Sequence, residues 1–309
     1  MYKLILKYNN FLSYSIKIFF SFFMLYYLYE HTQNQQLTNL FQQNFSIFLI
    51  SVLMVFSFLN WYFEIYKWKY LASDVQSISQ KQAYRQSLIS FSISLLTPNR
   101  FGEYGVKVLF FPKEIRKKIF FVSLIGNISQ LIITLFMGVS GIIFLVLTFP
   151  NQNLTRKLLS IIEFFTAYKT VFSIVLISTT LIALYFLKTD KKQLWQGKDI
   201  WLRSLNFSLL RYMAFSFQFL LLLQYFGNYK NLLLTYVAIT IIYFLSSLIP
   251  MLSFLDWAVK GSVAVKVFAD LGVSANLVLN VVALMWIVNF AIPFLVGMFL
   301  IWKTKIKFK

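Results

Sequence analysis

The sequence predicts an all-α integral membrane protein, on three grounds: its composition, the length of its apolar runs, and the placement of its basic residues. Of 309 residues, 59% are hydrophobic and only 13% charged, and the mean hydropathy is +0.70. A soluble domain carries about 25% charged residues, so a soluble fold of this size would lack the polar surface to cover its core. The apolar residues fall in six runs, 11–29, 45–63, 119–149, 171–187, 205–226 and 277–302. Each is near or above span length, since a crossing takes about 20 mainly apolar residues. The first run has no small-residue cleavage site, and Phe and Tyr continue through it, so it reads as a retained helix rather than a removed signal.

Basic residues set the orientation, because Lys and Arg concentrate in cytoplasmic loops. With the N-terminus inside, Lys3 and Lys7 lie inside, and the first outer loop, 31–44, has no Lys or Arg. The group Lys67, Lys69, Lys81 and Arg85 is inside, as is the group Lys113, Arg116, Lys117 and Lys118. Lys188, Lys191, Lys192, Lys198 and Arg203 follow, and the tail closes with Lys303, Lys305, Lys307 and Lys309. Nineteen of the 29 basic residues are then inside, and only Arg156, Lys157, Lys169 and Lys230 are outside. That bias predicts about six spans with both termini cytoplasmic, and it attributes the net charge of +19 to membrane boundaries rather than to nucleic acid. Lys17 reads as a snorkelling lysine. The stretch 155–165 is amphipathic and reads as lying along the outer interface.

Two segments do not fit as simple spans. The stretches 83–97 and 101–111 are too short to cross about 30 Å as helices, and they meet at Pro98 and Asn99 between basic flanks. The pattern predicts a re-entrant hairpin from the cytoplasmic side. The stretch 231–273 breaks similarly at Pro250. Phe101-Gly102-Glu103-Tyr104-Gly105-Val106-Lys107 matches Phe254-Leu255-Asp256-Trp257-Ala258-Val259-Lys260 at an offset of 153 residues, about half the chain, and Asn127 and Asn280 share that offset. Each half holds two spans, a broken hairpin and a long span. The single transmembrane domain, 1–309, therefore divides into repeats at about 8–150 and 165–305. Three spans per half require the second to be inverted, an architecture that recurs among transporters.

The candidate site follows from charge inside these hairpins. Glu103 and Lys107 are four residues apart, as are Asp256 and Lys260, the spacing and order that pair an acid with a base on one helix. Buried charge in a bilayer is expensive, so both pairs need compensation from each other, from water or from a ligand. If Asn99 and Ser253 cap the second hairpin arms, two helix N-termini point into the membrane. Arg100, Lys107 and Lys260 would add positive charge there, which suits an anion such as phosphate. A purely structural reading remains open: Ser253 with Asp256 resembles a capping box, and Glu103 and Lys107 can neutralise each other. Arg211, within a span, faces that cavity, snorkels or pairs with an acid. Asn127, Ser129, Gln130 and Asn280 line a cavity or bond neighbouring helices.

The segment Leu96-Thr97-Pro98-Asn99-Arg100-Phe101-Gly102-Glu103-Tyr104-Gly105-Val106-Lys107 resembles the Pro-x-Arg-x-Gly-Glu-x-x-x-Arg/Lys signature of the lysylphosphatidylglycerol synthase transmembrane, or flippase-like, family. The stretch 250–261, followed by Leu271-Gly272-Val273-Ser274, resembles its second motif. Asp256 stands where that family usually has Glu, and Met251-Leu252-Ser253-Phe254-Leu255 stands where it is glycine-rich. The resemblance covers nearly the whole chain. It implies a transporter of a phosphate-bearing, aminoacylated or glycosylated lipid between the leaflets of a bacterial inner membrane. A stand-alone transmembrane domain lacks the aminoacyltransferase, so a separate lipid-modifying enzyme is a candidate partner.

The rival readings are an ion-coupled carrier of a small soluble anion and a non-transporting membrane scaffold. Enzyme chemistry ranks last. The chain has no cysteine, and its one histidine, His31, lies in a polar loop without a partner cluster. No metal or cofactor is expected, and no nucleotide-binding Gly-x-x-x-x-Gly-Lys-Ser/Thr occurs.

Overall fold

The computed structural model describes residues 46–95, 102–157, 159, 198–227, 231–249 and 256–303, and among them the chain is all-helical. The expected spans 11–29 and 171–187 lie outside the described residues. Helix α1 (Ile47–Ser73) is followed by α2 (Gln80–Ser94), the short α3 (Gly102–Leu109) and the long α4 (Arg116–Thr148). Then come α5 (Lys198–Gly227), α6 (Leu232–Ser247) and α7 (Asp256–Ala269). The last helical run is α8 (Ala275–Trp286), a π-helical turn (Ile287–Ala291) and α9 (Ile292–Lys303).

Four segments are long and apolar enough to cross a membrane: Ile47–Ser73, Lys113–Thr148, Asp199–Gly227 and Ala275–Lys303. Their outward faces carry large apolar side chains, such as Phe58 on α1, Phe136 and Leu147 on α4 and Phe299 on α9. Their inward faces hold charges and amides. That is the reverse of a water-soluble helix, and it suits hydrocarbon as the surrounding solvent. Of the buried polar side chains on these four spans, most lie on the two with the lowest mean hydropathy, α1 at 1.7 and α5 at 1.3.

Local chemistry sets several boundaries. Ser46 caps α1 by accepting the Leu49 N–H at 3.2 Å, and Asn231 caps α6 by accepting the Leu234 N–H at 3.0 Å. At α2, Ser79 and Gln82 form a reciprocal capping box, with each side chain accepting the other's backbone N–H. The π turn has its own cause. Pro293 has no N–H, so it can donate neither to Asn289 in α register nor to Val288 in π register. Ser57 and Trp61 of α1 supply the donors instead, at 3.0 Å to the Val288 carbonyl and 3.1 Å to the Asn289 carbonyl. A defect in one span is thus satisfied by another.

Helices α1 and α5 form the central seam and run antiparallel. Contacts at Ser46–Tyr225, Leu53–Gln218, Glu64–Arg211 and Tyr70–Arg203 follow one another in opposite directions along the two chains. Helix α4 packs on α6, and α9 packs on α2. Glycines permit both approaches: Gly138 and Gly141 face Phe244 and Thr240, and Gly297 faces Ser92 and Leu88. The short α3 sits between α2 and α4, and α7 sits between α6 and α8.

Candidate functional site

Both predicted acid–base pairs close, each at 2.7 Å. Their settings differ. Glu103 and Lys107 on α3 are almost wholly buried, at 2% and 4% side-chain exposure, whereas Asp256 and Lys260 on α7 are at 20% and 23%. The Lys107 ammonium also lies 4.4 Å from the ring centroid of Trp68, whose indole N–H donates to Gln86 Oε1 at 2.9 Å. A desolvated ammonium above an indole is held by the ring quadrupole, so α1 and α2 support the pair on α3.

The pair on α7 opens into a cleft. Phe215 and Phe219 of α5, Tyr243 of α6, Trp257 of α7 and Trp286 and Phe290 of the last span line it, and it encloses ≈310 Å³ counting its open mouth. Lys260 Nζ sits 5.3 Å from the ring of Phe215, 5.6 Å from Phe290 and 5.9 Å from Tyr243. The lysine thus occupies an aromatic cage with one carboxylate in its wall.

A third charged group lies between the two pairs. Arg211 Nη1 donates to Glu64 Oε2 at 2.7 Å, and Lys67 Nζ contacts the same oxygen at 2.9 Å. Arg211 Nε donates to Asn60 Oδ1 at 2.9 Å, and Lys67 reaches Ser208 Oγ at 3.5 Å. From Asn60 the bonding continues to Asn289, then Gln218, then the Leu53 carbonyl, at 3.0, 2.8 and 3.0 Å. Asn289 belongs to the π turn, so this array ties α1, α5 and the last span together. Lys67 is also within electrostatic reach of Lys107. On the other side, Arg211 lies one helical turn from Phe215 and hence from the cage around Lys260. Charged groups therefore follow one another from α3, through the α1–α5 seam, to α7.

Placement corrects one expectation and refines several. Lys67, counted above among inner-loop cations, is 2% exposed within α1 and belongs to the interior charge. Arg211 pairs with an acid, Glu64. Lys107 does not line the cleft that holds Lys260, so these two cations do not share one cavity. Gln130 Nε2 reaches the Ser208 carbonyl at 3.5 Å, and Ser129 bonds its own helix at the Ile125 carbonyl. Asn127 and Asn280 are half-buried on α4 and α8 and do not line the cleft. Gly102 opens α3. Pro98, Asn99, Arg100, Pro250, Ser253, Lys17 and His31 lie outside the described residues, as does most of 155–165.

Sequence reasoning missed Glu64, Lys67, Asn60, Gln218 and Asn289. A signal was present: Ser57, Asn60, Glu64 and Lys67 recur at three- and four-residue steps, and Ser204, Ser208, Arg211 and Gln218 follow at steps of four, three and seven. Such spacing is one helix face, and two polar faces in adjacent spans predict a buried seam. No protein-family model, no curated protein and no solved structure matches the chain.

Proposed function

We propose that this protein is a flippase-like transporter that moves a phosphate-bearing lipid between the leaflets of a bacterial inner membrane. One observation carries the reading: three ion-paired cationic groups succeed one another inside the helical bundle, at Lys107, at Lys67 with Arg211, and at Lys260. Each buried charge is costly on its own, roughly 2.5–3.5 kcal/mol at the bilayer centre on insertion scales. A succession of such sites gives a charged headgroup a stepwise route across hydrocarbon. The enclosed part of the cleft at Lys260 is about 20 Å³, room for roughly one water, so in this reading a headgroup enters through the open mouth and the acyl chains stay in the bilayer. Its carboxylate and aromatic walls also suit an amine on an aminoacylated headgroup.

The transport cycle in this reading uses two inverted halves. Helices α1 to α4 recur as α5 to the last span at nearly constant register, about 153 residues on. Helix α2 of the first half packs on α9 of the second, and α6 of the second packs on α4 of the first. With re-entrant hairpins at α2–α3 and α6–α7 and both termini cytoplasmic, rocking about the α1–α5 seam would open the charged route to each leaflet in turn. Leaflet-sided fluorescent phospholipids in proteoliposomes test this, comparing wild type with Glu103→Gln/Asp256→Asn. Transfer well above empty liposomes is expected from wild type and a large loss from the variant; equal transfer in both would sink the role of these acids. A carrier of a small soluble anion is the second reading, favoured by the modest cleft volume, and it predicts anion uptake without lipid movement.

A further inference from the structure

The two acid–base pairs have the same spacing and opposite settings. Glu103 with Lys107 is closed in between α2 and α4, backed by Trp68 and Gln86. Asp256 with Lys260 keeps 20% and 23% side-chain exposure and lines the cleft. A molecule arriving from outside can reach only the second pair directly.

Lys260 donates to Asp256 Oδ2 at 2.7 Å and lies among the rings of Phe215, Phe290 and Tyr243. A carboxylate with aromatic walls is a general receptor for an ammonium ion, and here the ammonium is the protein's own. A primary amine on a ligand would meet the same carboxylate and the same rings. The enclosed space beside Lys260 holds about one water, which leaves no room for a second alkylammonium. Binding of an amine must therefore exchange it for Lys260, whose flexible four-carbon stem can swing while α7 stays in place.

The exchange fixes the charge of the ligand. Asp256 and Lys260 together are neutral. A simple amine would displace Lys260 and leave it without a counter-ion, and a simple anion would draw Lys260 away and leave Asp256 without one. Either result strands a charge in a poorly solvated site, which is costly. A ligand that carries both charges turns one ion pair into two. A further donor is at hand for its anion: Nε1 of Trp286, a residue of the cleft wall, is buried and has no acceptor among the described residues. A buried N–H of that kind favours a ligand that supplies an acceptor.

We infer that the cleft at α7 is a receptor for a zwitterionic headgroup, a primary ammonium joined to a phosphodiester, and that Lys260 is its resident stand-in. The ligand ammonium replaces Lys260 between Asp256 and the rings. The released Lys260 pairs with a phosphate oxygen, and Trp286 Nε1 donates to the phosphate as well. This inference rests on the reading that the chain carries a phosphate-bearing headgroup, and it adds the headgroup's second charge and its net neutrality.

Isothermal titration calorimetry on the full chain in dodecylmaltoside, a detergent with neither phosphate nor amine, tests the assignment. The probes are glycerophosphoethanolamine, a soluble zwitterion, and glycerophosphoglycerol, its anionic counterpart without the amine. Wild type should bind the first more tightly by on the order of ten-fold. Asp256→Asn should reverse that order, because Lys260 then has no carboxylate to leave behind. Lys260→Gln should bind ethanolamine, which wild type should not, because Asp256 is then open to a simple amine. Trp286→Phe keeps the ring, removes the N–H and should weaken glycerophosphoethanolamine. No binding of glycerophosphoethanolamine to wild type, equal or tighter binding of glycerophosphoglycerol, or an order that Asp256→Asn leaves unmoved would overturn the assignment. If Asp256→Asn does not fold, the wild-type order and the response of Lys260→Gln to ethanolamine decide it. Zwitterion binding of the expected order without any lipid transfer in proteoliposomes would keep the receptor and remove the flippase. Lipid transfer that persists while affinity ignores the amine would keep the flippase and remove the receptor.

Discussion

Gly297→Ala should loosen the contact between α2 and α9. A Cβ at Gly297 would fall well inside contact distance of Ser92 Oγ and the Leu88 carbonyl oxygen, and 2.9 Å from the Leu88 carbonyl carbon. Two of those three atoms are backbone, so no rotamer change relieves the clash, and the helices must separate by about 1 Å to restore van der Waals spacing. Overpacking of this kind costs about 1–3 kcal/mol. The Ser92 Oγ–Phe294 carbonyl bond, 3.0 Å long, spans the same contact and would be lost or stretched, adding about 0.5–1.5 kcal/mol. Alanine's helix propensity returns about 1 kcal/mol. The net expectation is a destabilisation of about 1–3 kcal/mol, or a fall in melting temperature on the order of 3–8 °C. Gly105→Ala is the control, because no atom lies within 4 Å of its Cβ position; it should be neutral or slightly stabilising. Thermal unfolding in detergent, followed by tryptophan fluorescence and by monomer recovery on gel filtration, measures both. If Gly297→Ala melts with wild type, or if both variants shift alike, the close approach of α2 to α9 is wrong.

The two acid–base pairs should respond differently to truncation. Lys107→Met takes the ammonium away from a carboxylate that is 2% exposed, and about 3 kcal/mol of stability should go with it. Lys260→Met leaves Asp256 facing an open cleft at 20% exposure, and less than half that loss is expected; equal melting temperatures would contradict the difference in burial. The ion pair between Lys157 and Asp270 places the ends of α4 and α7 at one face. Single cysteines at these positions, introduced into a chain that has none, should therefore react with a membrane-impermeant thiol reagent from the same side. Reaction from opposite sides would break the ion pair and the sidedness derived from the basic residues.

The site was legible in part. Glu103 with Lys107 and Asp256 with Lys260 could be paired from a four-residue spacing, because neighbours on one helix are fixed by its geometry. Arg211 could be singled out as a charge within a span, but not its partner, because Glu64 is 147 residues away. The apolar run ends at residue 63, which places Lys67 in a loop by hydropathy alone, whereas α1 continues to Ser73. Hydropathy stops where polar residues begin, but a helix does not stop there when a neighbouring helix supplies partners. The aromatic cage around Lys260 drew on α5, α6, α7 and the π turn, and no local pattern links those residues.

What the sequence by itself determined is the solvent of the fold and its local pairings. Composition requires apolar surroundings, run length requires helices, and turn-by-turn spacing brings each acid beside its base. Only the tertiary structure decided which charges are balanced. The antiparallel meeting of α1 and α5 sets two cations on one carboxylate at Glu64, where either helix alone would offer a different count. It also sets Ser57 and Trp61 against the carbonyls that Pro293 leaves without donors. Electrostatics and hydrogen bonding act through distance in space, and distances between remote segments exist only once the helices have packed.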